Sequence, residues 1–217
     1  AYKLDQTDPR PLLMLGAILT DLDRLPQAAQ VYQTLLEQTP SNTEARYQLG
    51  KTYIAMGHHD VALSELRLAL SQNPNDARLY NAIGIAHGML GSQEAARESF
   101  EKGLTVAPGD VPLRNNLGLS LVLNGRYAEG IAILEAVVAD PAANATSYRN
   151  LQLAQGMAQN ANGSTAVAAT PTGPQVASTI GGTGYIAEPM LIMPTQGPQI
   201  EARIEAPIPQ PQIVQAT

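Results

Sequence analysis

The 217-residue chain is 44% hydrophobic but only 4% aromatic, with one Phe and no Trp, so any core must be built from aliphatic and small side chains. Thirteen basic residues against nineteen acidic ones leave a formal charge of −6, which argues against the clustered Lys/Arg surface that a nucleic acid requires. Cysteine is absent, which removes disulfides, thiolate metal sites and thiol nucleophiles, and no run approaches the roughly 18 apolar residues of a membrane span.

Taken in chain order, the opening Ala1-Tyr2-Lys3-Leu4-Asp5 shows no basic stretch running into an apolar one and does not read as an intact signal peptide. Residues 1–8 fit either the end of a preceding helix, in the register of Ala69-Leu70-Ser71-Gln72-Asn73, or an unrelated leader. Helical spacing of apolar residues then predicts helices over 9–22, 26–38, 43–56, 60–72, 77–90, 94–106, 111–124 and 128–139. Gly57, Gly91 and Gly125, with Asp23 in the first unit, fall where a helix must stop and can take the left-handed conformation. Pro40, Pro74, Pro108 and Pro141 follow every second helix, where a missing amide ends the ladder. Residues 145–157 repeat the first-helix spacing with Gln152 in place of the expected Gly, and read as a cap on the last apolar surface.

The organising feature is a period. Gly16, Gly50, Gly84 and Gly118 are each 34 residues apart; Ala28, Ala62, Ala96 and Gly130 keep the same interval, as do Tyr32, Leu66, Phe100 and Leu134. Self-similarity at 34 residues marks a helix–turn–helix unit of the tetratricopeptide (TPR) type. The expected fold is all-α: a right-handed TPR superhelix of four repeats, 9–42, 43–76, 77–110 and 111–144, closed by the cap 145–157. The last sixty residues, 158–217, contain eight of the sixteen Pro and four charges, Glu188, Glu201, Arg203 and Glu205, and read as a low-complexity disordered tail.

Short matches to catalytic motifs are defeated by context. Gly50-Lys51-Thr52 lacks the Gly a phosphate loop needs five positions earlier (Ala45) and sits inside a predicted helix, where the amides are already bonded. Gly182-Thr183-Gly184 has no strand before it, and Pro189 blocks the helix after it. Ser99-Phe100-Glu101-Lys102 carries Phe100 as a core knob, and the adjacent histidines of His58-His59-Asp60 point apart in a turn without a third ligand. His87 reads as a packed core histidine. No catalytic residue, metal ligand or cofactor is expected, and the chain is not expected to be an enzyme.

A stacked array of this type offers its concave first-helix face to partners. Positions 2, 5, 9 and 12 of each repeat share one helical stripe, and they make a candidate peptide-binding groove of Tyr47, Lys51, Ile54, Arg78, Asn81, Ile85, Asn115, Leu119, Val122 and Arg149, with Asn116 beside Asn115. Asparagine amides carry both donor and acceptor and suit an extended backbone; the aliphatic members add apolar contact. The same asparagines could instead only solvate the face, with the aliphatics packed between helices. In the tail, Tyr185-Ile186-Ala187-Glu188-Pro189-Met190-Leu191-Ile192-Met193-Pro194 is an apolar stretch that could dock on a partner or back into the groove, or stay inert.

Gly103-Leu104-Thr105-Val106-Ala107-Pro108-Gly109-Asp110, followed by Leu113-Arg114-Asn115-Asn116-Leu117-Gly118-Leu119-Ser120, resembles the TPR protein of the Tad (tight adherence, Flp-type) pilus assembly system. The likeness continues through Gly125-Arg126-Tyr127-Ala128-Glu129-Gly130 to Tyr148-Arg149-Asn150-Leu151-Gln152-Leu153-Ala154, covering about residues 10–158 and not the tail. The resemblance implies a non-catalytic scaffold at the periplasmic face of the outer membrane that helps assemble or localise the secretin of a pilus secretion apparatus. The lipid-bearing Cys and export signal of such a protein are not in this sequence. Two other readings stay open: a generic TPR adaptor, envelope-bound or cytoplasmic, and a regulatory TPR segment of a larger enzyme.

Overall fold

The computed structural model describes residues 8–163, and all regular structure among them is helical. Among the described residues nine helices run in order: α1 Arg10–Asp21, α2 Leu25–Gln38, α3 Thr43–Ala55, α4 His59–Gln72, α5 Ala77–Met89, α6 Gln93–Val106, α7 Val111–Leu123, α8 Tyr127–Val138 and α9 Ala145–Gly163. The tail reading for 164–217, the docking stretch 185–194 and the leader 1–7 lie outside the described residues.

Local chemistry sets the boundaries. Asn42, Asp76 and Asp110 each stand before a first helix and accept a backbone amide of its first turn, from Ala45, Arg78 and Leu113 at 2.9, 3.0 and 2.8 Å. Each pair then turns through a left-handed residue: Gly57, Gly91 and Gly125 at φ 79°, 75° and 78°, and Asp23 at φ 56°. Asp23 alone carries a Cβ there, in the conformation that L side chains adopt at a cost.

Helices pack as α1 on α2, α3 on α4, α5 on α6 and α7 on α8, and each second helix also leans on the next first helix. The intra-repeat seam explains the periodic glycine. A Cβ on Gly84 would overlap the Phe100 ring, and one on Gly50 would lie 2.6 Å from Leu66 Cγ, so the backbone of each first helix is a socket for a large knob. Tyr32, Leu66, Phe100 and Leu134 are those knobs, and all four are buried. In the fourth repeat the helices close further: a Cβ on Gly130 would meet the Gly118 carbonyl and Val122, at a position where Ala28, Ala62 and Ala96 fit.

Successive first helices touch one another (α1–α3, α3–α5, α5–α7, α7–α9), whereas no two second helices do among the described residues. The stack therefore curves toward its first-helix side. Arg46 ties α3 to α4 through Glu65 at 2.7 Å, and Arg114 ties α7 to the turn after α8 through Asp140 at 2.7 Å.

The cap differs from expectation in length. It starts as predicted, with Asn144 Oδ1 accepting the Thr146 and Ser147 amides at 3.0 and 3.1 Å, but runs to Gly163 rather than stopping at 157. Residues 158–163 contain no Pro, so nothing in Ala158-Gln159-Asn160-Ala161-Asn162 interrupts the ladder. Leu151, Ala154 and Met157 of α9 close the last core cluster over Val122 and Leu134.

Candidate functional site

The first helices form a continuous inner layer, and the eleven candidate residues all lie on them. Position along the stripe, however, does not settle depth. Asn81 and Asn115 are only 3% and 7% exposed, and Tyr47, Ile54, Ile85, Leu119 and Val122 are also buried. Residues 81–86 of α5 and 117–122 of α7 are buried without a break, so every side of those turns is covered. Lys51 and Asn116 are half-buried, and Arg78 and Arg149 are exposed.

One side-chain amide bond joins the third and fourth repeats here. Asn116 Nδ2 donates to Asn81 Oδ1 at 2.8 Å, joining α7 to α5 over a separation of 35 residues. Asn115 Nδ2 donates to Asn116 Oδ1 at 3.4 Å, a long bond, and its own Oδ1 has no hydrogen-bond donor. Ser120 Oγ, one turn along α7, is likewise buried without a partner. The Asn cluster thus combines one good inter-repeat bond with two unfilled valences.

At the other end of the layer Tyr47 carries two cations. Arg78 Cζ lies 4.8 Å and Lys51 Nζ 5.3 Å from the ring centroid. Arg78 is oriented by Asp76 at 2.7 Å and by Glu44 at 3.1 Å, and these carboxylates, Asp76 foremost, hold its guanidinium firmly protonated. Glu44 and Arg78 occupy position 2 of neighbouring repeats, so the bond spans the 34-residue period itself and is legible in the repeat register. Asp76 was not among the candidates; its signal is the Asp-x-Arg pair, which occurs as Asp8–Arg10 with the same fork, Arg10 Nη2 to Asp8 Oδ2 at 2.8 Å.

The remaining motifs fall in ordinary surroundings. Lys51 and Thr52 sit within α3, and Ser99 donates to the Ala95 carbonyl at 2.7 Å. His58 is exposed and meets Tyr53 edge-on, while burial lowers the pKa of His59. His87 is half-buried rather than sealed in the core. Its Nε2 lies 3.3 Å from Arg67 Nη2, and burial first, then that guanidinium, depress its pKa. Among the described residues no three His, Cys, Asp or Glu side chains gather as a metal site, and no helix is long and apolar enough to cross a membrane.

Two models of the tetratricopeptide repeat match the chain, one over residues 19–84 and one over 90–147. No curated protein matches it. Among solved structures, MamA residues 41 to the end from Desulfovibrio magneticus is similar at 24% identity, over 62% of this chain and 76% of that one, with a TM-score of 0.56. A tetratricopeptide repeat protein from Parabacteroides merdae superposes at a TM-score of 0.64 with 20% identity, over 74% of this chain and 63% of that one. YrrB, described as a TPR protein with an unusual peptide-binding site, matches at 20% identity over 72% and 80% of the two chains, with a TM-score of 0.55. These likenesses establish a shared fold.

Proposed function

We propose, from the premise that the chain belongs to the tetratricopeptide repeat family, that it is a non-catalytic protein–protein interaction scaffold whose first-helix layer receives a protein or an extended peptide. The observation that carries this reading is the inner layer itself: first helices laid side by side along one curve, with Lys51 and Arg78 stacked on Tyr47 at its edge. The buried Asn81, Asn115, Ile54, Ile85, Leu119 and Val122 then form the floor that sets the curve, and contact with a partner falls to Lys51, Arg78, Asn116 and Arg149.

The finer reading rests on the Tad-like stretches between Gly103 and Ala154. It places the scaffold at the periplasmic face of the outer membrane, where it assembles or localises a secretin. Capture from an envelope extract tests both levels, using the 217-residue chain and a Lys51→Glu, Arg149→Glu double variant. Recovery of an identified secretin by the parent and its loss in the variant supports the pilus reading. Equal recovery by the two proteins overturns the inner layer as the binding face, and recovery of unrelated proteins alone leaves the generic adaptor, which the bare family match also accommodates.

A further inference from the structure

The chain is acidic overall, but its inner stripe is not. Positions 2, 5, 9 and 12 of the successive first helices carry Arg10, Lys51, Arg78 and Arg149 against the single acid Glu44. Among the described residues four Lys or Arg side chains are half-buried: Arg46, Lys51, Arg97 and Arg114. Arg46 holds Glu65 and Arg114 holds Asp140, each at 2.7 Å, and Arg97 holds Glu94 and Glu101. Lys51 alone of the four has no carboxylate within ion-pair distance among the described residues. Its ammonium lies instead 5.3 Å from the centroid of the Tyr47 ring, which also carries Arg78. Arg78 commits Nε and Nη2 to Asp76 and Glu44, and its Nη1 donates to no described residue. The half-desolvated Lys51 is thus a cation held in place and left without an anion.

We propose that Lys51, steadied by Tyr47, is the point at which the inner layer reads one acidic side chain, Asp or Glu, within an extended peptide. This rests on the reading of the inner layer as a peptide-receiving face and adds the chemistry that it selects. The occupant follows from charge complementarity, because a partly desolvated cation that lacks an anion gains most from one that a partner brings. The lysine stem is already ordered against the ring, so pairing costs less side-chain entropy than at a freely moving lysine. A carboxylate suits the place better than a phosphoryl group. Asp76 and Glu44 lie at Arg78 on the same ring, and they oppose a dianion more strongly than a monoanion. An internal residue suits it better than a chain end, because α1 and α5 both adjoin α3 and the layer runs on past Lys51 to either side. Lys102, the other described lysine, lies on the second helix α6 and is paired with Glu98 at 3.9 Å, so it has no such role.

The test selects, on the immobilised 217-residue chain, random peptides of about twelve residues fused at their C-termini to a phage coat protein, long enough when extended to cross the inner layer. The expected result is enrichment of Asp or Glu at one internal position. Exchanging that acid for its amide in a synthetic, C-terminally amidated copy should weaken binding about three- to tenfold at low salt, and less at about 0.5 M salt. Lys51→Gln should remove both the enrichment and the salt-sensitive loss, whereas Lys51→Arg and Lys102→Gln should keep them. Selected peptides without an acid, or an acid preference that survives Lys51→Gln, would overturn this inference and leave the peptide-receiving layer standing. A preference seen only in a second library with free C-termini would overturn it in favour of a terminal carboxylate. Selection of no peptide at all would overturn both readings.

Discussion

The first and third repeats are written in the same 34-residue pattern but are finished differently. In the third, α5 is covered on every side from Asn81 to Ala86, the pair turns through Gly91, and Phe100 fills the socket of Gly84. In the first, Gly16 still receives Tyr32, but the outer face of α1 is left uncovered by the other described residues and the turn is made by Asp23. The seam inside a repeat is specified by that repeat's own residues, whereas the seal over its first helix is supplied by the neighbour. Stability in such a chain belongs to interfaces more than to units.

Substitutions at matched positions can break that contrast. The largest effect expected is Phe100→Ala, which empties a fully buried aromatic knob and should cost about 3–5 kcal/mol in urea unfolding, with Tyr32→Ala costing less because its repeat is sealed on one side only. Next, Ile83→Ala should cost about 2–4 kcal/mol, while Leu15→Ala, at the same repeat position, should stay within about 0.5 kcal/mol. Similar losses at the two sites would show that α1 is covered in solution. At the turns, Gly91→Ala should lose about 1 kcal/mol by forcing a Cβ into the left-handed region, and Asp23→Gly should recover up to about that much; calorimetry on the pair checks the sign.

The smallest expected effect is a pH slope. Burial holds the imidazoles of His59 and His87 below their usual range; His58 and Arg67 add to this, and Asp60 and Glu98 oppose it. The unfolded chain therefore binds protons first as the pH falls below about 6.5, so stability should decline from there toward pH 5. Replacing both histidines by Gln should flatten the urea midpoint across that window; an unchanged slope would assign it to other groups.

Much of the fold was legible in the sequence, and repetition is why. A 34-residue period supplies four independent readings of each boundary, and the eight repeat helices agree with expectation to about a residue at either end. The cap was misjudged because it occurs once: the change of composition at 158 marks where charge thins out, not where the ladder stops at Gly163. The candidate site was less legible. Helical periodicity gives the direction of Asn81, Ile85 and Leu119 but not how closely the next helix approaches, and all three are buried. The Asp76–Arg78–Tyr47 grouping needs two repeats at once, a relation visible only when the period is read sideways rather than along the chain.

The Asn116–Asn81 bond gives the stack a detent. Apolar seams between parallel rods tolerate sliding, since one methyl group is much like the next. A one-turn slip of α7 past α5 would pull the half-buried Asn116 amide off the buried Asn81 carbonyl oxygen, and losing that bond at a buried acceptor costs about 1–3 kcal/mol. Repeats three and four should consequently bend and twist against each other far more readily than they shift, like the links of a chain whose pin is a single pair of side chains.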